Sequence, residues 1–134
     1  MTKKFEKWVK KQNIPEGELF NAIEEVIEGS YEANLGSSLI KKRIRFQGQG
    51  KRGSGRSILC FKSNDRAIYI HGFSKNSQSN VSAKELIVWK EFAKIILALS
   101  PEALEIAVKN GDFIEVTELW EIQLQNQLQV QLKT

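Results

Sequence analysis

With 134 residues, 41% of them apolar and 27% charged, the chain has the length and balance of one soluble globular domain that needs no disulfide or metal staple. Its one cysteine, Cys60, excludes an intramolecular disulfide, and its one histidine, His71, excludes acid/base catalysis by a histidine pair. The formal charge is +4 but uneven: no Asp or Glu lies between Glu32 and Asp65, an interval that carries +8 and leaves −4 for the rest. Such a local field suits a polyanion better than a generally basic surface does. The basic N-terminus has no apolar stretch behind it and no later run reaches the length of a membrane span, so a reducing, cytoplasmic setting is expected.

In chain order, Phe5, Trp8 and Val9 share one side of a short amphipathic helix over Lys3 to Gln12, with Lys4, Lys7, Lys10 and Lys11 facing away. Pro15 opens a second helix at its first turn, where Glu16 and Glu18 favour the positive end of the dipole. Leu19, Phe20, Ile23, Val26 and Ile27 mark its buried face, Gly29 ends it, and Glu24, Glu25, Glu28 and Glu32 read as a solvated outer face. After Gly36-Ser37-Ser38 the period becomes two. Ile40, Lys42, Ile44 and Phe46 take one side of a strand and Leu39, Lys41, Arg43 and Arg45 the other.

The stretch QGQGKRGSG, Gln47 to Gly55, is too rich in glycine for regular structure and lacks the terminal Lys-Ser/Thr of a P-loop, so it reads as a loop with Lys51 and Arg52 at its tip. Arg56 to Lys62 is an interior strand, Ser63-Asn64-Asp65 a turn, and Ala67 to Phe73 a third strand. Strict alternation in the last puts Ile68 and Ile70 on one face, packed on helices, and Tyr69, His71 and Phe73 on the other, the functional one; a second core layer is the rival reading. Ser82 and Glu85 form a capping box before a helix so apolar around its circumference that it is central or an interface. Ser100-Pro101 starts a shorter helix ending near Asn110-Gly111, and Phe113, Ile114 and Val116 suggest a brief strand. The Gln-rich tail satisfies both strand and helix periods, with helix favoured.

The chemistry open to these residues is limited. One Cys with one His does not make a structural zinc site, and an acid-free basic segment lacks the clustered carboxylates of two-metal nucleases. RNA brings its own nucleophile, so a protein can cleave it by aligning the 2′-hydroxyl with the phosphorus and neutralising the charge that builds on the phosphate. Arg56, rigid at a strand start, is the candidate for that charge. Lys42 and Lys51 would hold phosphates or move a proton, and His71 would donate one to the leaving oxygen. Lys41, Arg43, Arg45 and Arg52 would bind RNA, Tyr69 and Phe73 would stack on bases, and Lys75 extends the same face.

Taken together, EANLGSSLIKKRI, GQGKRGSGRSILCF and DRAIYIHGFSKN followed by the Ser-capped KELIVWKEFAK resemble the RelE/HigB superfamily of type II toxin–antitoxin toxins, in its bacterial and phage RelE-like branch. The likeness runs from roughly Phe5 to Val116, which divides the chain into a RelE-like toxin domain, 1–116, and an extension of unknown role, 117–134. The resemblance implies an α+β fold, N-terminal helices packed on a small antiparallel sheet with additional C-terminal helices. It also implies a cofactor-free endoribonuclease that cleaves mRNA on the ribosome, and a cognate helix-turn-helix antitoxin that neutralises it.

Position by position, Arg56 matches a recurrent catalytic arginine, while Lys42, Arg43, Lys51, Phe73 and Lys75 match the family's KKR, GKxGG and GFxKN motifs. The chain departs from the branch in having Ser54-Gly55-Arg56 where Gly-Tyr-Arg is usual, and Phe46-Gln47-Gly48 where Arg-Pro-Gly is frequent. The missing aromatic keeps open a non-catalytic, toxin-like RNA-binding module; a gyrase inhibitor on the same fold is a weaker alternative.

Overall fold

The computed structural model describes residues 1–46, 53–74 and 82–116. Two helices, α1 (Lys3–Gln12) and α2 (Glu16–Ile27), precede four strands, β1 (Ala33–Gly36), β2 (Leu39–Arg45), β3 (Ser54–Lys62) and β4 (Arg66–Ser74), and two more helices follow, α3 (Ala83–Ala98) and α4 (Pro101–Lys109). The strands form one antiparallel sheet in the order β1-β2-β3-β4, so each pairs with its neighbour in sequence. The α+β architecture expected from the sequence is therefore present.

Local chemistry sets the element ends. Thr2 Oγ1 accepts from the Phe5 N–H at 3.1 Å to start α1, and Asn13, in the left-handed region at φ 55°, ends it. Pro15 is the N-cap of α2 and not a residue of its first turn. Ser82 and Ser100 cap α3 and α4 through the N–H groups of Glu85 and Ala103, each at 3.1 Å. The carbonyl of Ile96 near the end of α3 accepts from Arg66 Nη1 at 2.6 Å, which ties that helix to the start of β4.

Strand β1 was not expected. Its four residues alternate in burial but are too short a run to be read from sequence, and what pins it is the turn: Ser37 and Ser38 have φ of 53° and 65°, the signs that a two-residue hairpin requires. Gly36-Ser37-Ser38 is thus the tip of a hairpin and not a break between a helix and a strand.

Both faces of the sheet are covered. On one, α1 and α2 bury Phe5, Val9, Leu19, Ala22 and Val26 against Ile40, Ile44, Leu59 and Tyr69. On the other, Trp89, Ala93 and Ile96 of α3 pack on Leu39, Ile58, Cys60, Ile68, Ile70 and Phe73. The rival reading of a second core layer is the correct one. Two apolar expectations shift with it: Ile27 is 64% exposed, and α3 uses one face only, leaving Ile87, Val88 and Ile95 outside. Phe113 makes a single bridge to Thr2 in place of a strand.

The alternation expected for β4 fails at one residue. Leu59 pairs with Tyr69 and Ile58 with His71, so Ile70 is an extra residue, a β-bulge. Tyr69 consequently faces α1 and α2, whereas His71 and Phe73 face α3 together with Ile68 and Ile70.

Candidate nucleic-acid interface

The register of the sheet places Arg43, Arg56 and Phe73 in one row across β2, β3 and β4, with Lys41, Ile58 and His71 in the row two residues away. All six share the α3 side of the sheet by parity, and Arg45 continues the line beyond Arg43. Arg43 and Arg45 are exposed. Arg56 is not: its side chain is 12% exposed, and its Nε lies 2.7 Å from Glu32 Oε1. The other oxygen of Glu32 is 3.7 Å from Lys41 Nζ. Arg56 Nη1 is buried with no hydrogen-bond partner among the described residues. A buried donor left in that state costs free energy.

Glu32 therefore does not solvate an outer helix face, and neither does Glu25. Lys42 is 6% exposed and faces the α2 side, where its Nζ contacts Glu25 Oε2 at 2.7 Å and the Ser30 carbonyl at 2.9 Å. A lysine committed in this way is a structural cation, and the phosphate-holding role expected of Lys42 is corrected accordingly. Tyr69 is corrected too. Its ring is fully buried, stacked on Phe5 at a centroid distance of 4.6 Å, and its hydroxyl donates to the Leu19 carbonyl at 2.7 Å. Burial pushes its pKa up, so the phenol stays protonated. Phe73 is corrected as well: it shares the face of Ile68 and Ile70 that was expected to be opposite, and at 4% exposed in the second core it offers no free ring to a base.

His71 is half-buried between Phe73 and Trp89, with ring centroids 6.0 and 5.0 Å away. It opens on a cleft of 310 Å³ shared with Lys4, Lys84, Glu85 and Val88. Burial, and then the charge of Lys4, hold its pKa below the ordinary 6.5, against the pull of Glu85. A neutral imidazole at pH 7 suits acceptance of a proton better than donation, the reverse of the role its unperturbed pKa suggests. Lys51, Arg52 and Lys75 lie outside the described residues. A cleft of 450 Å³ between α2, α4 and the start of β4 holds none of these row residues.

A family model described as the RelE toxin of the RelE / RelB toxin-antitoxin system matches residues 1–116. The chain belongs to the RelE toxin family. Comparison with curated proteins and with solved structures gave no match. RelE toxins pair with an antitoxin, and in this RelE toxin no described helix is long and apolar enough to cross a membrane.

Membership gives the Gly55 departure a physical reading. Residue 55 has the opposite parity to Arg56 and lies under α1, where a Cβ would stand 2.7 Å from Trp8 Cζ2 and 2.8 Å from Phe46 Cζ. Trp8 and Phe46, whose ring centroids are 5.9 Å apart, already fill that space. The departure thus concerns the packing of α1 on the sheet, on the face away from the exposed cations. Sequence reasoning missed both Glu32 and this role of Trp8. Glu32 was marked, however, as the last acid before the basic interval.

Proposed function

We propose that this RelE toxin is a metal-independent endoribonuclease that cleaves mRNA on the ribosome by in-line attack of the RNA's own 2′-hydroxyl. The observation that carries the reading is Arg56: a guanidinium held on one side by Glu32, with Nη1 buried and unpaired among the described residues, in a row with exposed Arg43. Charge builds on the phosphate oxygens as the 2′-oxygen bonds to phosphorus and the 5′-oxygen leaves. A preorganised donor in a water-poor site stabilises that charge without reorganising. Arg43 and Arg45 hold neighbouring phosphates, and Lys51, Arg52 and Lys75 are proposed to complete the cationic rim.

His71 is the diagonal neighbour of Arg56 across β3 and β4, about 7–8 Å away for such a pair, so both can reach one phosphodiester. In its neutral form it accepts the 2′-hydroxyl proton, and solvent water supplies the proton that the departing 5′-oxygen takes up. An antitoxin silences the toxin by covering the cationic face, and the free toxin acts in the cytoplasm, where the ribosomes are.

The test is induced expression of the chain and of Arg56→Ala at equal soluble level, with growth and transcript integrity followed. Growth arrest with discrete cleavage, reduced on the order of 10²–10³-fold in the variant, is the expected result. Equal cleavage by Arg56→Ala would remove the mechanism. The Glu32–Arg56 pair also favours a second reading, in which the arginine's charge is spent internally and the protein binds RNA without cutting it. Intact transcripts with salt-dependent RNA binding would select that one.

A further inference from the structure

We infer that Glu32 is the positioning residue of Arg56, fixing the orientation in which the guanidinium serves the substrate phosphate; the inference rests on the ribonuclease reading above. Glu32 stands just before β1, and its own backbone N–H is fixed by the Lys41 carbonyl at 2.9 Å. Its carboxylate is shared between two strands, Oε1 with Arg56 Nε on β3 at 2.7 Å and Oε2 with Lys41 Nζ on β2 at 3.7 Å. A carboxylate so tethered restricts the rotation of a long side chain that could otherwise sample many rotamers.

The side of approach separates positioning from inhibition. A carboxylate set to block the site would occupy the terminal nitrogens that a phosphate uses, as in fork-to-fork pairing. Here the closest contact is through Nε, and Nη1 is left buried without a partner among the described residues. The pair is also not a surface ornament, because the arginine side chain is only 12% exposed. One negative charge beside Arg56 and Lys41 costs some attraction for RNA, so Glu32 trades affinity for alignment.

The experiment compares the full chain with Glu32→Ala, Glu32→Gln and Arg56→Ala for transcript cleavage, for binding to a single-stranded RNA, and for the arginine Nε–H signals in proton–nitrogen spectra. Glu32→Ala is expected to lose cleavage on the order of 10²-fold while binding RNA at least as tightly as the parent. Glu32→Gln, whose amide oxygen still accepts from Nε, keeps most of the activity and the protected Nε–H signal that Glu32→Ala loses. In an Arg56→Ala background Glu32→Ala adds no further loss. Should Glu32→Ala not fold, Glu32→Asp, which withdraws the same charge by one methylene, is expected to lose cleavage with its thermal midpoint unchanged. Parental or raised cleavage in Glu32→Ala, or in Glu32→Asp where that variant is used, beside an inactive Arg56→Ala would overturn the inference and leave the ribonuclease reading standing. Intact transcripts with the parent chain would overturn both.

Discussion

The indole of Trp8 on α1 occupies the space into which a Cβ at Gly72 on β4 would project. The nearest ring atoms, Cε3 and Cδ2, are too close for any side chain to coexist with them. Helix α1 can approach the sheet this tightly because the two strand positions beneath the ring, Gly55 and Gly72, are both bare.

Overpacking this contact should be expensive. Gly72→Ala is expected to destabilise the protein by about 3 kcal/mol, and Gly55→Tyr, which restores the residue usual in the resembling branch, by a similar amount without raising RNA cleavage. Urea unfolding followed by tryptophan fluorescence measures the first, and the transcript assay the second. A stable, more active Gly55→Tyr would contradict the placement of residue 55 beneath α1.

The cations of β2 should divide by face. Arg43→Ala and Arg45→Ala are each expected to flatten the dependence of log K for single-stranded RNA on log salt by about 0.7, the slope of one phosphate contact. Lys42→Met should leave that slope unchanged. Removing its partner instead, in Glu25→Ala, strands a buried ammonium and is expected to cost about 1–2 kcal/mol, discounted because Glu25 is 44% exposed. Titration of labelled RNA at several salt concentrations separates these outcomes.

His71 should make stability depend on pH. Its folded pKa lies below the ordinary 6.5 because of burial and then Lys4, so the neutral ring is the form that the fold favours. The contribution is complete above pH 6.5 and is lost as pH falls through the folded value. Lys4 of α1 and Lys84 and Glu85 of α3 line its cleft, and only Glu85 pulls the pKa upward. Urea midpoints measured from about pH 7 to 5 should fall, and His71→Gln should flatten the curve. An identical slope in the variant would assign the dependence to other groups.

The residues that were legible in the sequence are those whose signal is local. The cap at Ser82, the alternation from Leu39 to Phe46 and the bounds of α1 depend on neighbours within a turn or a strand, and each stands as expected. The parts that were not legible depend on other elements. Whether Lys42 is a phosphate ligand or a buried tether is decided by Glu25, seventeen residues earlier and on a helix. Glu32 meets Arg56 only after the sheet has formed, and β1 exists because its hairpin supplies a partner. Of the residues grouped from sequence into a candidate site, Arg43, Arg45 and Arg56 lie on one face, whereas Tyr69 was assigned to that face by an alternation that β4 breaks.

That break bears on how sequences of this kind are aligned. Ile70 acts as a frameshift within β4: residues before it are read in one parity and residues after it in the other. A relative lacking one residue here would run a straight strand and still present the equivalents of Tyr69 to the first core and of His71 and Phe73 to the second. A gap placed opposite Ile70 therefore compares side chains that do the same job, whereas an ungapped comparison would set positions facing α1 and α2 against those facing α3.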